Sequence, residues 1–285
     1  MTVVERRKRA SRVDYRRVGL WIALAISLLV WTAPILFMVF TSLKTEAEIY
    51  TTPTFLPPLD PQWENFASAF ERGGMLQAGS NSLIIALIKV PLGLVFSAMA
   101  AFALSRLRFR FQGTLLAVIA LGAMVPVQVA IAPLFQTILN LGLLNTHLGV
   151  ILPYIAFGMP YQVFILYGFF SAIPRELDES ARLDGAGNMR LFFSIVLPLA
   201  KPALAALFIL DFVSTWNEYG MALVLLQDRE SWTVPLAVQA FQSEMTSAFG
   251  PLNAFTIMSV LPVVIIYLLF QRYFVRGALA GAVKG

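Results

Sequence analysis

Apolar residues gather into six runs of spanning length, at 18–43, 81–104, 114–139, 147–172, 199–226 and 255–274. Each reaches the roughly 20 residues that an α-helix needs to cross a bilayer's hydrocarbon layer. Backbone amides inside lipid must be satisfied within their own segment, so runs of this kind are helices. The pattern predicts an all-α polytopic membrane protein of six transmembrane helices. A polar tail over 1–17 precedes a membrane body over 18–276, and a short tail follows over 277–285.

The polar interruption at 174–198 has structure of its own. Pro174 suits the first turn of a helix, and Glu176, Asp178 and Glu179 then place negative charge near the helix's positive end. The predicted short helix starts at Pro174 or Arg175 and sets Leu177, Ala181 and Asp184 on one side. Gly185 and Gly187 permit the positive φ that ends it. Asn188 is a plausible N-cap for a second helix leading into the next span. A short helix pinned to the foot of a membrane helix can pass a push from a soluble partner into the bilayer; an ordinary solvated loop is the plain alternative.

Composition agrees with the hydropathy pattern. The 285 residues are 58% hydrophobic and 13% charged, with a mean hydropathy of +0.75, which leaves too little polar surface to cover a soluble fold. Lysine and arginine are lopsided: seven lie in 1–17, three at Arg106, Arg108 and Arg110, four at Arg175, Arg182, Arg190 and Lys201 between the fourth span and the first turn of the fifth, and three at Arg272, Arg276 and Lys284. The opposite side holds Lys44, Arg72 and Arg229, and Lys89 lies inside a span. Positive charge is retained on the cytoplasmic side, so both termini and 174–198 are expected there.

The same bias accounts for the net charge of +5 without nucleic acid, which is not an expected partner; anionic lipid headgroups are. The first run is too long for a signal peptide's apolar core and is expected to remain as a span. There is no cysteine, which excludes disulfides and thiolate-bound metals, and the lone His147 reads as an interfacial residue. No metal site, cofactor or catalytic residue is expected. No G-x-x-x-x-G-K-[ST] occurs, so any ATP-driven motor must be another chain.

Glu179, Ala181, Asp184, Gly185, Ala186, Phe192, Ile195, Leu197 and Pro198 fall at the spacing of the EAA loop of bacterial ABC importer permeases, with Ser180 where alanine is usual. The chain resembles that family and, within it, the carbohydrate-uptake permeases of maltose type. The resemblance implies the ABC type I importer permease fold in a bacterial inner membrane. It also implies a homologous second permease subunit, two ATP-binding subunits and an extracytoplasmic solute-binding protein as partners. Glu179, Ala181, Arg182, Asp184, Gly185, Ala186 and Gly187 would form the coupling helix and turn that sit in a cleft of the ATPase. The tail, R-G-A-L-A-G-A-V-K-G, resembles that of maltose-type permeases, which makes Lys284 and Gly285 a second candidate contact with the motor.

In the fifth run, Asp211, Ser214 or Thr215, and Glu218 share one helical face. Ionisable groups in a span face a cavity or a partner helix, since lipid exposure is costly. Trp216-Asn217-Glu218 followed by an aromatic resembles the W-N-E-F segment of carbohydrate-uptake permeases. Tryptophan can stack on a pyranose while amide and carboxylate bond hydroxyls, so Trp216, Asn217 and Glu218 are either substrate contacts or a structural polar cluster. Lys89 either pairs with Asp211 or Glu218 across a helix interface or faces a cavity and attracts an anionic sugar. Pro126, Pro133, Pro153, Pro160 and Pro262 invite kinks. With Gln128, Gln136 and Gln162, the prolines of the third and fourth runs mark those spans as pathway-lining or as merely bent. Lys89, Gln128, Asp211, Trp216, Asn217 and Glu218 are the candidate pathway residues.

Two connecting segments are more than linkers. In 44–80, the Pro-rich TPTFLPPLDPQWENF and the aromatics Trp63, Phe66 and Phe70 suit interfacial anchoring or a partner contact. In 227–254, Trp232, Val234, Leu236 and Val238 alternate as in an exposed or re-entrant segment. The family resemblance implies contact with the binding protein over 231–249, with Trp232, Gln239 and Gln242 as candidates. The functional expectation is a sugar-importer permease subunit, not an enzyme. Alternatives are an ABC permease for another polar solute, such as a polyol or glycerol conjugate, and an ion-coupled secondary transporter relaying through Lys89 and Asp211.

Overall fold

The computed structural model describes residues 15–242 and 248–282, with side chains over 16–242 and 248–271. The fold is all-α. Helix α1 (Tyr15–Ser42) is followed by two short connecting helices, α2 (Glu46–Thr51) and α3 (Glu64–Arg72), and by the long α4 (Met75–Arg106). Next come α5 (Gln112–Ala123), α6 (Val127–Asn140) and α7 (His147–Ser171). The 174–198 region forms α8 (Glu176–Leu183), α9 (Asn188–Leu191), a π-helical turn over Phe192–Val196 and α10 (Leu197–Leu199). The chain ends with α11 (Lys201–Trp216), α12 (Gly220–Leu225), α13 (Val234–Ala237) and α14 (Phe249–Ala282).

Among the described residues, α1, α4, α7 and α14 are each long and apolar enough to cross a membrane. Two bent pairs raise the number to six if each is one span: α5 with α6, at 95°, and the 188–199 segment with α11, at 74°. The six expected runs are therefore present, but the third and fifth are not continuous helices. The third breaks where Pro126, extended at ψ 127°, caps α6; proline's ring also disfavours the helical conformation in the residue before it. The fifth stops at Trp216 and restarts at Gly220, where the Glu218 carboxylate takes the Met221 and Ala222 amides that a continuous helix would have paired with backbone carbonyls. Pro133, Pro153, Pro160 and Pro262 are accommodated inside helices.

Helix α4 is the axis of the bundle. Its buried positions form an i, i+3/i+4 stripe rich in small residues (Ala78, Ser82, Ala86, Gly93, Ser97, Ala101), which brings neighbouring backbones close. Gly93 shows the tightness: a Cβ there would lie 3.4 Å from Gln162 Oε1. The main core joins α4, α7, α11 and α14 around Val90, Leu94, Phe170, Phe212 and Phe255. A second cluster joins α4, α6, α7, α12 and α13 around Ile85, Ile138, Ile151, Leu225 and Leu236. Helix α1 packs chiefly on α14, and its apolar side chains are otherwise exposed.

Candidate functional site

Helices α4, α6, α7 and α11 line a cavity of about 590 Å³ together with Glu218, in the break after Trp216, and Met221 of α12. Lys89, Gln128, Asp211 and Glu218, all singled out from sequence, lie in its wall, with Tyr154, Tyr161, Ser214 and Thr215. On α7, Tyr154, Phe157 and Tyr161 line one side at i, i+3 and i+7, and Gly158 lies among them. The wall thus mixes hydroxyl, amide and carboxylate groups with aromatic faces, a composition that suits a polyhydroxyl solute.

Lys89 Nζ donates to Asp211 Oδ1 in an ion pair whose side chains are only 4% and 9% exposed. The pairing that sequence offered as one of two readings is therefore present, and it lies on the cavity wall. Lys89 sits 14 residues from the Met75 start of α4, about 21 Å along the axis. Gly158 makes room for the pair: a Cβ there would stand 3.2 Å from Lys89 Nζ and 3.7 Å from Asp211 Oδ1. Behind the pair, Ser97 Oγ donates to Gln162 Oε1 at 2.8 Å.

Glu218 is fixed more firmly than sequence foretold. Its Oε1 accepts from Met221 N at 2.8 Å, and its Oε2 accepts from Ala222 N at 3.1 Å and from the Tyr154 hydroxyl. The carboxylate caps the first turn of α12 and ties it to α7. Trp216 and Asn217 are placed elsewhere, apart from Glu218 and the cavity it lines. Trp216 is 4% exposed, packs on Phe212 and donates its indole N–H to Ser259 O at 3.1 Å. Asn217 donates to Val213 O at 2.9 Å. Both border a separate space of about 370 Å³ with α13 and α14; one residue of helical rotation turns them from the Asp211 face. Gln136 is exposed away from the cavity and Gln162 is buried behind it.

The 174–198 region forms a helical hairpin. Gly185 has φ +77°, and the Gly185 and Ala186 amides donate to Arg182 O and Ala181 O at 3.0 and 2.9 Å, closing α8 with a glycine cap. Gly187 is not left-handed; at φ −74° it is itself the N-cap of α9. Asn188 is therefore the first residue of α9, and its side chain accepts from Arg182 Nη2 at 2.8 Å. Ala181 alone of the Leu177, Ala181, Asp184 side is buried. Glu179, Asp184 and Gly187 are exposed, Ala186 is half-buried, and the apolar tips Leu183 and Met189 are 90% and 65% exposed.

Sequence reasoning missed Arg106 and Asp178. Arg106, at the last residue of α4, has a side chain 1% exposed; its Nη1 lies 3.3 Å from Asp178 Oδ2, and its Nη2 donates to Ile173 O at 2.9 Å. A cation closing a span is expected from topology alone, so nothing in the sequence marked it.

Within 227–254, residues 231–241 are packed inward rather than exposed. Val234, Leu236, Ala237 and Phe241 are buried, Asn81 Nδ2 donates to Glu230 O and Trp232 O, and Val234 N donates to Ser82 Oγ. Trp232 and Gln239 are half-buried, the latter donating to Tyr219 Oη at 3.4 Å, while Gln242 is exposed. His147 Nε2 lies 3.0 Å from Asn81 Oδ1. Trp63 and Phe70 are exposed. Lys284 and Gly285 lie outside the described residues.

The profile of the family described as "Binding-protein-dependent transport system inner membrane component" matches residues 90–279. A putative ABC transporter permease protein of Caldicellulosiruptor, ORF2, is 38% identical over 265 residues, covering 93% of this chain and 96% of that one. The melibiose/raffinose/stachyose import permease protein MelC of Bacillus subtilis is 34% identical over 278 residues, covering 97% and 100%. A solved structure of a bacterial ABC transporter involved in the import of the acidic polysaccharide alginate superposes with a TM-score of 0.79 at 24% identity, covering 96% and 100%.

Proposed function

The chain belongs to the family of binding-protein-dependent transport system inner membrane components, and on that premise we propose that it carries a sugar or sugar derivative across the membrane as one of two permease subunits of an ABC importer. The α8–α9 hairpin is the observation that carries the reading. It presents Leu183 and Met189 to solvent from an otherwise polar loop anchored at the foot of the bundle, which suits insertion into a cleft of a separate ATPase. ATP hydrolysis resides in those partner chains, two of them, and closure of the ATPase pair swings the bundles between inward-open and outward-open states.

Both termini and the hairpin face the cytoplasm, following the arginine and lysine bias. Solute is delivered by a binding protein to the opposite side, where Trp232, Gln239 and Gln242 are the candidate contacts. A saccharide is favoured because MelC is named for oligosaccharide import and because the cavity sets aromatic faces among hydroxyl, amide and carboxylate groups. The test is uptake of labelled sugars by a host strain lacking the gene and complemented with it. Restored uptake of one saccharide class supports the reading; uptake confined to non-carbohydrate solutes overturns the saccharide assignment.

A further inference from the structure

We propose that α4 is the rod that transmits motion from the coupling hairpin to the cavity, with Arg106 and Asp178 as the positioning residues that clamp the hairpin to it. The inference rests on the coupling role assigned to α8. Its footing is two contacts on one helix, at its last residue, Arg106, and near its middle, at Lys89.

At the hairpin end, the Arg106 guanidinium spans the α7–α8 junction, holding Ile173 O at 2.9 Å and Asp178 Oδ2 at 3.3 Å. The side chains are 1% and 13% exposed, so bulk water screens the pair little. A planar, multi-donor guanidinium held at two points fixes orientation as well as distance. Asp178 lies on α8 itself, so displacement of α8 by an ATPase pulls directly on the last turn of α4.

At the cavity end of the same helix, Lys89 holds Asp211 of α11. The 17 residues between Lys89 and Arg106 span about 25 Å of helix. Over this length α4 is buried by Val90, Gly93, Leu94, Ser97, Ala98, Ala101 and Phe102, and close packing resists bending. The alternative route, through α9 to α11, contains a π-helical turn and a 74° bend at Ala200. Such breaks absorb displacement, whereas α4 stays α-helical between the two contacts, its internal proline, Pro91, lying two residues from Lys89 at the cavity end.

The test uses the complete importer, with its ATPase and binding proteins, in nanodiscs. Asp178→Asn, Asp178→Glu and Gly185→Asp are compared for retained ATPase subunits, basal ATPase rate and stimulation by liganded binding protein. Asp178→Asn is expected to retain the subunits and the basal rate while losing stimulation at least about fivefold, and Asp178→Glu to restore most of it. Because the chain has no cysteine, an Arg106→Cys/Asp178→Cys variant in a cysteine-free complex supplies a second readout. Stimulation should be low when the thiols are free and recover when a short bifunctional thiol reagent bridges them. Wild-type stimulation in Asp178→Asn, with Gly185→Asp uncoupled, overturns the clamp and leaves the coupling hairpin standing. Wild-type stimulation in both variants overturns the coupling reading itself. If Asp178→Asn does not assemble, absence of recovery on bridging overturns the clamp.

Discussion

Lys89 and Asp211, 122 positions apart, form a buried ion pair between α4 and α11 on the wall of the central cavity. Each charge there is neutralised by the other. Truncating one partner strands the other in a low-dielectric site, which costs about 3–5 kcal/mol in comparable pairs, whereas removing both is often close to neutral. Lys89→Gln is therefore expected to lower the thermal midpoint of the purified complex more than Lys89→Gln/Asp211→Asn does. Equal midpoints for the two variants would contradict the pairing.

The pair supports the first of the two readings of Lys89, a partner for Asp211. An ammonium committed to Asp211 is not free to receive an anionic substrate, so Lys89→Gln should reduce uptake of neutral and acidic sugars to a similar extent. Parallel uptake assays with one sugar of each kind check this; a loss confined to the acidic sugar would restore the anion-attracting role.

Gly158 supplies the space in which the pair sits. A valine there places Cβ about 3.2 Å from Lys89 Nζ before its methyls are counted, so Gly158→Val should displace the ammonium. Uptake is expected to fall about tenfold or more, while ATPase subunits still co-purify.

Glu218 holds the start of α12 through two backbone amides and Tyr154. Loss of such a cap costs about 0.5–2 kcal/mol. Glu218→Ala should therefore destabilise the complex by that order, and Tyr154→Phe by less, since both amides keep their acceptor. Denaturation of the two variants in detergent tests the ranking.

The sequence already showed the six apolar runs and the α8–α9 hairpin, because spanning length and glycine-terminated helices are local signals. Pairings between distant segments left no such trace. Arg106 reads as a topological charge until Asp178 is seen beside it, and the hydrophobic alternation over 232–238 looks the same whether the segment is exposed or folded against α4. The cavity was partly legible, since Asp211 and Glu218 share a helical face with Thr215. Of the two readings offered for Trp216, residue type suggested the sugar contact, while helical phase turns it toward α14, where it bonds Ser259 O, and it packs on Phe212. The break after Trp216 was missed because its cause is a side chain, Glu218, replacing backbone partners, and because the short polar stretch 214–220 lies between apolar stretches that together read as one run.

The measurement that bears most directly on the account is ATPase activity of the reconstituted importer, with and without its binding protein, for the wild-type chain and Gly185→Asp. Gly185 sits at φ +77°, a conformation that costs an ordinary L-residue about 1–2 kcal/mol, so the substitution should distort the hairpin while leaving the spans inserted. The account predicts that liganded binding protein stimulates the wild type with one class of sugar and fails to stimulate Gly185→Asp. Transport by the chain alone on an ion gradient, with no ATPase co-purifying, would contradict it.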